Sequence, residues 1–128
     1  MQTVLIKRTK QEIIMVAPME KRQFERFPVH RGSVANINGQ HLYSTITDIS
    51  ETGLSFICAP ELQHGDKVDL TLEIRQDQET KTIHILVEVV RCLKDDFEHY
   101  VGATVKIITE EFKALVQQIQ QSRLSLAS

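Results

Sequence analysis

The stretch FPVHRGSVANINGQHLYSTITDI, residues 27–49, decides the fold class. Its halves, FPVHRGSVANI and HLYSTITDI, are separated by Asn38-Gly39, a pair that tolerates positive φ at both positions and so favours a type I′ hairpin turn. The second half is rich in β-branched residues and Tyr, which suit a pleated surface. An antiparallel hairpin is the first element expected.

Strand signals continue toward the C-terminus. SETG, residues 50–53, is turn chemistry, and GLSFICA is another strand. Pro60 and His64-Gly65-Asp66 mark a loop. KVDLTLEI sets Val68, Leu70, Leu72 and Ile74 against Asp69, Thr71 and Glu73, the alternation of a half-buried strand. Polar RQDQET makes the next turn. KTIHILVEVVRCL is a long strand with Ile83, Ile85, Val87 and Val89 on one face. KDDFEH turns again, its Asp95, Asp96 and Glu98 reading as a solvated hairpin tip. YVGATVKI is the last strand, with Val101, Ala103, Val105 and Ile107 expected to face inward.

The final element has a different period. Thr109 is a good N-cap, and Glu110 and Glu111 suit a helix N-terminus. Phe112, Leu115, Val116 and Ile119 then fall on one face at i, i+3, i+4 and i+7. The pattern predicts an all-β-dominated fold: a six-stranded antiparallel β-barrel with a C-terminal α-helix plugging its end or side. Closure into a barrel removes the exposed edges of so small a sheet.

The 128 residues suit one domain, and 41% hydrophobic with 25% charged residues is ordinary for a soluble globular chain. The organisation expected is an N-terminal extension over 1–19, flexible or carrying short strands at TVLI and EIIMVA, then a barrel with its helix over 20–121, then a tail over 122–128. A net charge of −2 argues against a general nucleic-acid binder, so any cationic function is local. Cys58 and Cys92 form no CxxC and lie in apolar runs, as reduced core thiols do in a reducing compartment. No apolar run approaches membrane-spanning length, and charges interrupt the N-terminal apolar pieces, making a poor signal peptide. A cytoplasmic protein is expected.

Catalytic chemistry finds little support. No GxSxG appears, and the five histidines are scattered without ligand spacing to one another or to either cysteine. The glycines are isolated, so there is no phosphate loop. A non-enzyme without metal or cofactor is expected.

Two features remain. Lys21, Arg22 and Arg26 cluster before the first strand, the two arginines four apart. Guanidinium forks match phosphate oxygens in pairs and stack on purines. Alone, the cluster reads as a solvated basic face, on a short helical turn or a flexible arm. The second feature is DISETG, Asp48 to Gly53, at a strand-to-strand corner. Its bland reading is turn chemistry, with Gly53 supplying positive φ. Its functional reading is a carboxylate able to accept from the N1 and N2 hydrogens of guanine, beside a hydroxyl and a glycine that admits close approach.

Taken together, Arg22-x-x-x-Arg26 followed 22 positions after Arg26 by Asp48-x-Ser50-x-x-Gly53 (48 − 26 = 22), in an antiparallel barrel closed by a helix, resembles the PilZ domain, whose signature is RxxxR followed by (D/N)xSxxG. GLSF and VGATVKIITEEF resemble that family's usual sequence as well. The resemblance implies a non-catalytic receptor for the bacterial second messenger cyclic di-GMP. It assigns phosphate and Hoogsteen-edge contacts to Arg22 and Arg26, and a guanine grip to Asp48 and Ser50, with Gly53 shaping the turn. Lys21 precedes the motif as a point charge and leaves one or two bound ligands open. Trp is absent, so Arg91 and Arg31 are candidates for further stacking.

An arm that wraps the ligand and signals to an unknown protein partner is the expected mechanism. The apolar N-terminal segment is also a candidate for pairing across a homodimer. The alternative is a PilZ-like interaction module of motility or pilus machinery that binds no nucleotide.

Overall fold

A computed structural model describes residues 25–127. Six strands, β1 (Phe27–Ile37), β2 (Gln40–Ile49), β3 (Gly53–Cys58), β4 (Lys67–Gln76), β5 (Glu79–Asp95) and β6 (Glu98–Val105), precede one helix, α1 (Glu110–Ala127). They form a closed antiparallel barrel in the order β1-β2-β3-β6-β5-β4, with β4 pairing back onto β1. Asn38 (φ 52°) and Gly39 (φ 84°) both adopt the left-handed region, as the hairpin turn of residues 27–49 requires.

The interior follows the period-2 pattern. Val68, Leu70, Leu72 and Ile74 of β4 and Ile83, Ile85, Val87 and Val89 of β5 are all buried. One polar pair sits among them: Ser33 and Ser44 face each other across β1 and β2 and hydrogen-bond through their hydroxyls. Each hydroxyl thereby satisfies the other in a place water does not reach.

Helix α1 starts where expected. Thr109 Oγ1 accepts from the Phe112 amide at 3.0 Å, and Thr109 O accepts from the Lys113 amide. Phe112, Leu115, Val116 and Ile119 join the barrel core. The helix lies at the end where β1 begins and the β2–β3 turn sits. Clefts on its two flanks are lined by Glu51 and Thr52 on one side and by Pro28 to Arg31 on the other.

Three expectations need correction. Ile107 is 61% exposed, because β6 ends at Val105 and the chain bends away before reaching α1. The tail expected over 122–128 is helical as far as Ala127, since SRLSLA contains no Gly or Pro to stop it. The turn expected over RQDQET shrinks to Asp77 and Gln78, because the β4–β5 ladder continues through the polar pairs Arg75–Thr80 and Gln76–Glu79.

Candidate functional site

The ladders shift register at three places, on β1 between Pro28 and Arg31, on β2 and on β5, and the latter two bulges shape the outer surface. On β2, Ser44 and Ile46 face inward, and strict alternation would turn Asp48 inward too. The ladder with β3 steps two residues from Ile46 to Asp48 against one from Phe56 to Ser55, so Thr47 is an extra residue. Asp48 is thereby rotated outward, and Ile49 enters the core at 1% exposure. The same device acts on β5. Val90 is the extra residue between Val89 and Arg91, so Arg91 faces solvent and Cys92 packs on the core.

The register then aligns the outward residues. Pro28 faces Asp48, Asp48 faces Ser55, Ser55 faces Gly102 and Gly102 faces Arg91. This row crosses β1, β2, β3, β6 and β5 as a shelf. Adjacent strands lie about 4.8 Å apart, which puts the Asp48 and Arg91 backbones about 14 Å apart along it.

Arg26, one residue before β1, lies along this shelf. Its Nη1 donates to Asp48 Oδ1 at 2.7 Å and to Ser55 Oγ at 3.4 Å. Arg26 and Asp48 side chains remain 26% and 30% exposed, so the pair stabilises the fold by about 1 kcal/mol at most. A Cβ on Gly53 would stand 3.6 Å from Arg26 Nη2 and 2.9 Å from Ala103 O. A Cβ on Gly102 would stand 3.2 Å from Arg91 Nε. Each arginine therefore passes near a glycine; an added Cβ would make ordinary contact with Arg26 but would crowd Arg91.

Ser50 occupies a different place from Asp48. It is 4% exposed, and its hydroxyl accepts from the Gly53 amide at 3.1 Å and donates to Gly53 O at 3.2 Å. With the Ser50 amide donating to Gly53 O at 2.8 Å, it closes the turn between β2 and β3. Gly53 has no positive φ, contrary to expectation. Its small size is needed for the approach of β6, whose Ala103 O would stand 2.9 Å from a Cβ.

The structure thus joins Arg26 and Asp48 directly, sets Gly53 beside Arg26, holds Ser50 on Gly53 through the turn, and sets Arg91 at the far end of the shelf. Lys21 and Arg22 lie outside the described residues. Arg31 is half-buried opposite Ile46 and borders the cleft beside Ile119 of α1, so it is not on the shelf. Ser55 was missed as a site residue. A small polar side chain inside the otherwise apolar GLSFICA was its only signal.

Among curated proteins none matches the sequence. A family model described as PilZ domain matches residues 20–121. The chain belongs to the PilZ domain family. Solved structures similar to this PilZ chain include the Bacillus subtilis inhibitor of motility MotI/DgrA, at 18% identity and a TM-score of 0.69, covering 81% of this chain and 52% of that one. The PilZ domain of Escherichia coli YcgR with c-di-GMP is similar at 12% identity and a TM-score of 0.61, covering 84% and 98%. The K. pneumonia MrkH–c-di-GMP complex is similar at 17% identity and a TM-score of 0.60, covering 83% and 52%. At these identities the likeness is one of fold. This PilZ chain spans about half the length of the Bacillus protein.

Proposed function

We propose that this PilZ chain is a cytoplasmic, non-catalytic receptor for cyclic di-GMP that signals by contact with a protein partner. The observation that carries the reading is the 2.7 Å pair between Arg26 Nη1 and Asp48 Oδ1. It puts the last arginine of the first motif and the carboxylate of the second on one outer shelf, within reach of a single ligand.

In this reading Arg22 and Arg26 bind phosphates and guanine Hoogsteen edges, and Lys21 adds a point charge. Asp48 accepts from guanine N1 and N2, beside the turn held by Ser50 and Gly53. Arg91 stacks on a base from the far end of the shelf, where Gly102 leaves room for its side chain. Likeness in fold to YcgR and MrkH, each solved with c-di-GMP, supports the choice of ligand.

The ligand brings two negative charges and two flat bases to an arm that is cationic. Binding therefore draws residues 20–26 onto the shelf and repositions residues 1–19, which become the element a partner reads. Amide exchange of residues 1–26 should slow when ligand is added. Unchanged exchange rules out the arm movement.

Calorimetry with cyclic di-GMP tests the whole reading. The intact protein should bind saturably. Arg22→Ala, Arg26→Ala and Asp48→Ala should each weaken binding by about 10- to 100-fold, the worth of a hydrogen bond to a charged group. If the intact protein takes up no ligand, the chain is instead a nucleotide-independent interaction module.

A further inference from the structure

One row beyond the shelf, the outer surface turns apolar. Leu93 on β5 faces Tyr100 on β6, and Tyr100 faces Ile57 on β3. Leu93 is 60% exposed and Tyr100 43%, while Phe97 at the tip of the β5–β6 hairpin is 95% exposed. Asp95, Asp96 and Glu98 surround Phe97 and are exposed as well. Leu93 and Tyr100 form an exposed apolar pair, the Asp95–Glu98 pair follows on the same face of the ladder, and Phe97 caps the tip, so the hairpin shows water an apolar and acidic surface, the mark of a binding site. The carboxylates give it a sign: its occupant must be apolar and basic together.

The chain carries such a segment. Val4-Leu5-Ile6-Lys7-Arg8-Thr9-Lys10 places three apolar residues beside three cations. Sixteen residues, 11–26, separate it from Phe27 at the start of β1 (26 − 10 = 16). Extended, they span up to about 50 Å. The hairpin is only a few strands from β1, each about 4.8 Å wide, so the reach is ample.

We infer that residues 4–10 dock within their own chain on the outer face of the β5–β6 hairpin. Val4, Leu5 and Ile6 cover Leu93, Phe97 and Tyr100, and Lys7, Arg8 and Lys10 face Asp95, Asp96 and Glu98. The intervening residues, Lys21 and Arg22 among them, then cross the shelf on the way to β1. This contact stands on apolar area and charge, and it does not depend on the ligand proposed above.

The test uses the full chain without nucleotide, with photoreactive benzoylphenylalanine in place of Phe97. Irradiation of a mixture of isotopically light and heavy protein should give links to residues 2–12 within one chain, located by mass spectrometry. Lys7→Glu with Arg8→Glu should lower the yield by about threefold or more, the worth of a few surface charge pairs. Adding Asp95→Lys with Asp96→Lys should restore it, with unchanged thermal unfolding as the control for folding. Links between light and heavy chains, links elsewhere, or a yield indifferent to charge reversal would overturn the inference.

Discussion

Arg26 Nη1 reaches Asp48 Oδ1 at 2.7 Å and Ser55 Oγ at 3.4 Å, so one guanidinium nitrogen binds side chains from two neighbouring strands. A ligand that uses Arg26 and Asp48 must share or replace this pair. The pair is partly exposed and therefore weak, which makes the exchange cheap. Arg26→Lys separates the two roles: it keeps the charge and loses the planar fork. Folding stability in urea should change by less than about 1 kcal/mol. Cyclic di-GMP affinity, measured by calorimetry, should fall by about tenfold or more for want of the paired hydrogen bonds.

Gly53 and Gly102 should respond differently to a methyl group. In Gly53→Ala the new Cβ meets the backbone oxygen of Ala103 at 2.9 Å, and backbone cannot move aside cheaply. A loss of about 1–3 kcal/mol in urea unfolding is expected. In Gly102→Ala the Cβ meets only the Arg91 side chain, at 3.2 Å from Nε and 3.3 Å from Cγ, which can swing away. Stability should hold within about 0.5 kcal/mol, and ligand affinity should drop if Arg91 stacks on a base as proposed.

The β4–β5 turn carries residual strain. Asp77 (φ 53°) and Gln78 (φ 66°) are both left-handed, and Gln has no local hydrogen bond or missing Cβ to ease that geometry. Gln78→Gly should raise stability by about 1 kcal/mol, read as a higher urea midpoint with an unchanged slope. A fall in midpoint would show that the flexibility gained by the unfolded chain outweighs the relieved strain.

Cys58 supplies an alkaline signature. Burial, and then the neighbouring Cys92, push its thiol from the ordinary 9.0 up to about 11. The unfolded chain therefore releases this proton first, and between about pH 9 and 11 it binds fewer protons than the native state. Stability from this group is intact below pH 9 and declines as pH rises toward 11. Urea midpoints across that window should fall less steeply in Cys58→Ala. At pH 8, alkylation followed by mass spectrometry should label Cys92 before Cys58, which is 2% exposed.

The barrel was legible in the sequence wherever alternation ran unbroken. KVDLTLEI and the Asn38-Gly39 turn are decided by local chemistry: which faces are apolar, and which residues accept positive φ. The two motifs were legible as residue types, but not the contact between Arg26 and Asp48, because sequence spacing says nothing of register. The bulges at Thr47 and Val90 were not foreseen. Both residues are β-branched and look like ordinary strand positions, and only the paired strand reveals the extra count. A hint was present in ITDI, where two polar residues separate Ile46 from Ile49 and a strict strand allows one. The turn role of Ser50 was open to sequence reading, while its burial was not, since that follows from the placement of α1 and β6 around the turn.

The bulges also decide which changes of chain length the shelf can bear. Removing Val90, the extra residue, would return β5 to plain alternation with Val89 inward, Arg91 outward and Cys92 inward, still opposite Gly102 and Val101. Removing Thr47 would likewise leave Asp48 outward and Ile49 inward against β3. A gene encoding this barrel can thus lose a codon at either bulge and keep the shelf, whereas a codon lost from an unbulged stretch of the same strands turns every side chain beyond it to the other face.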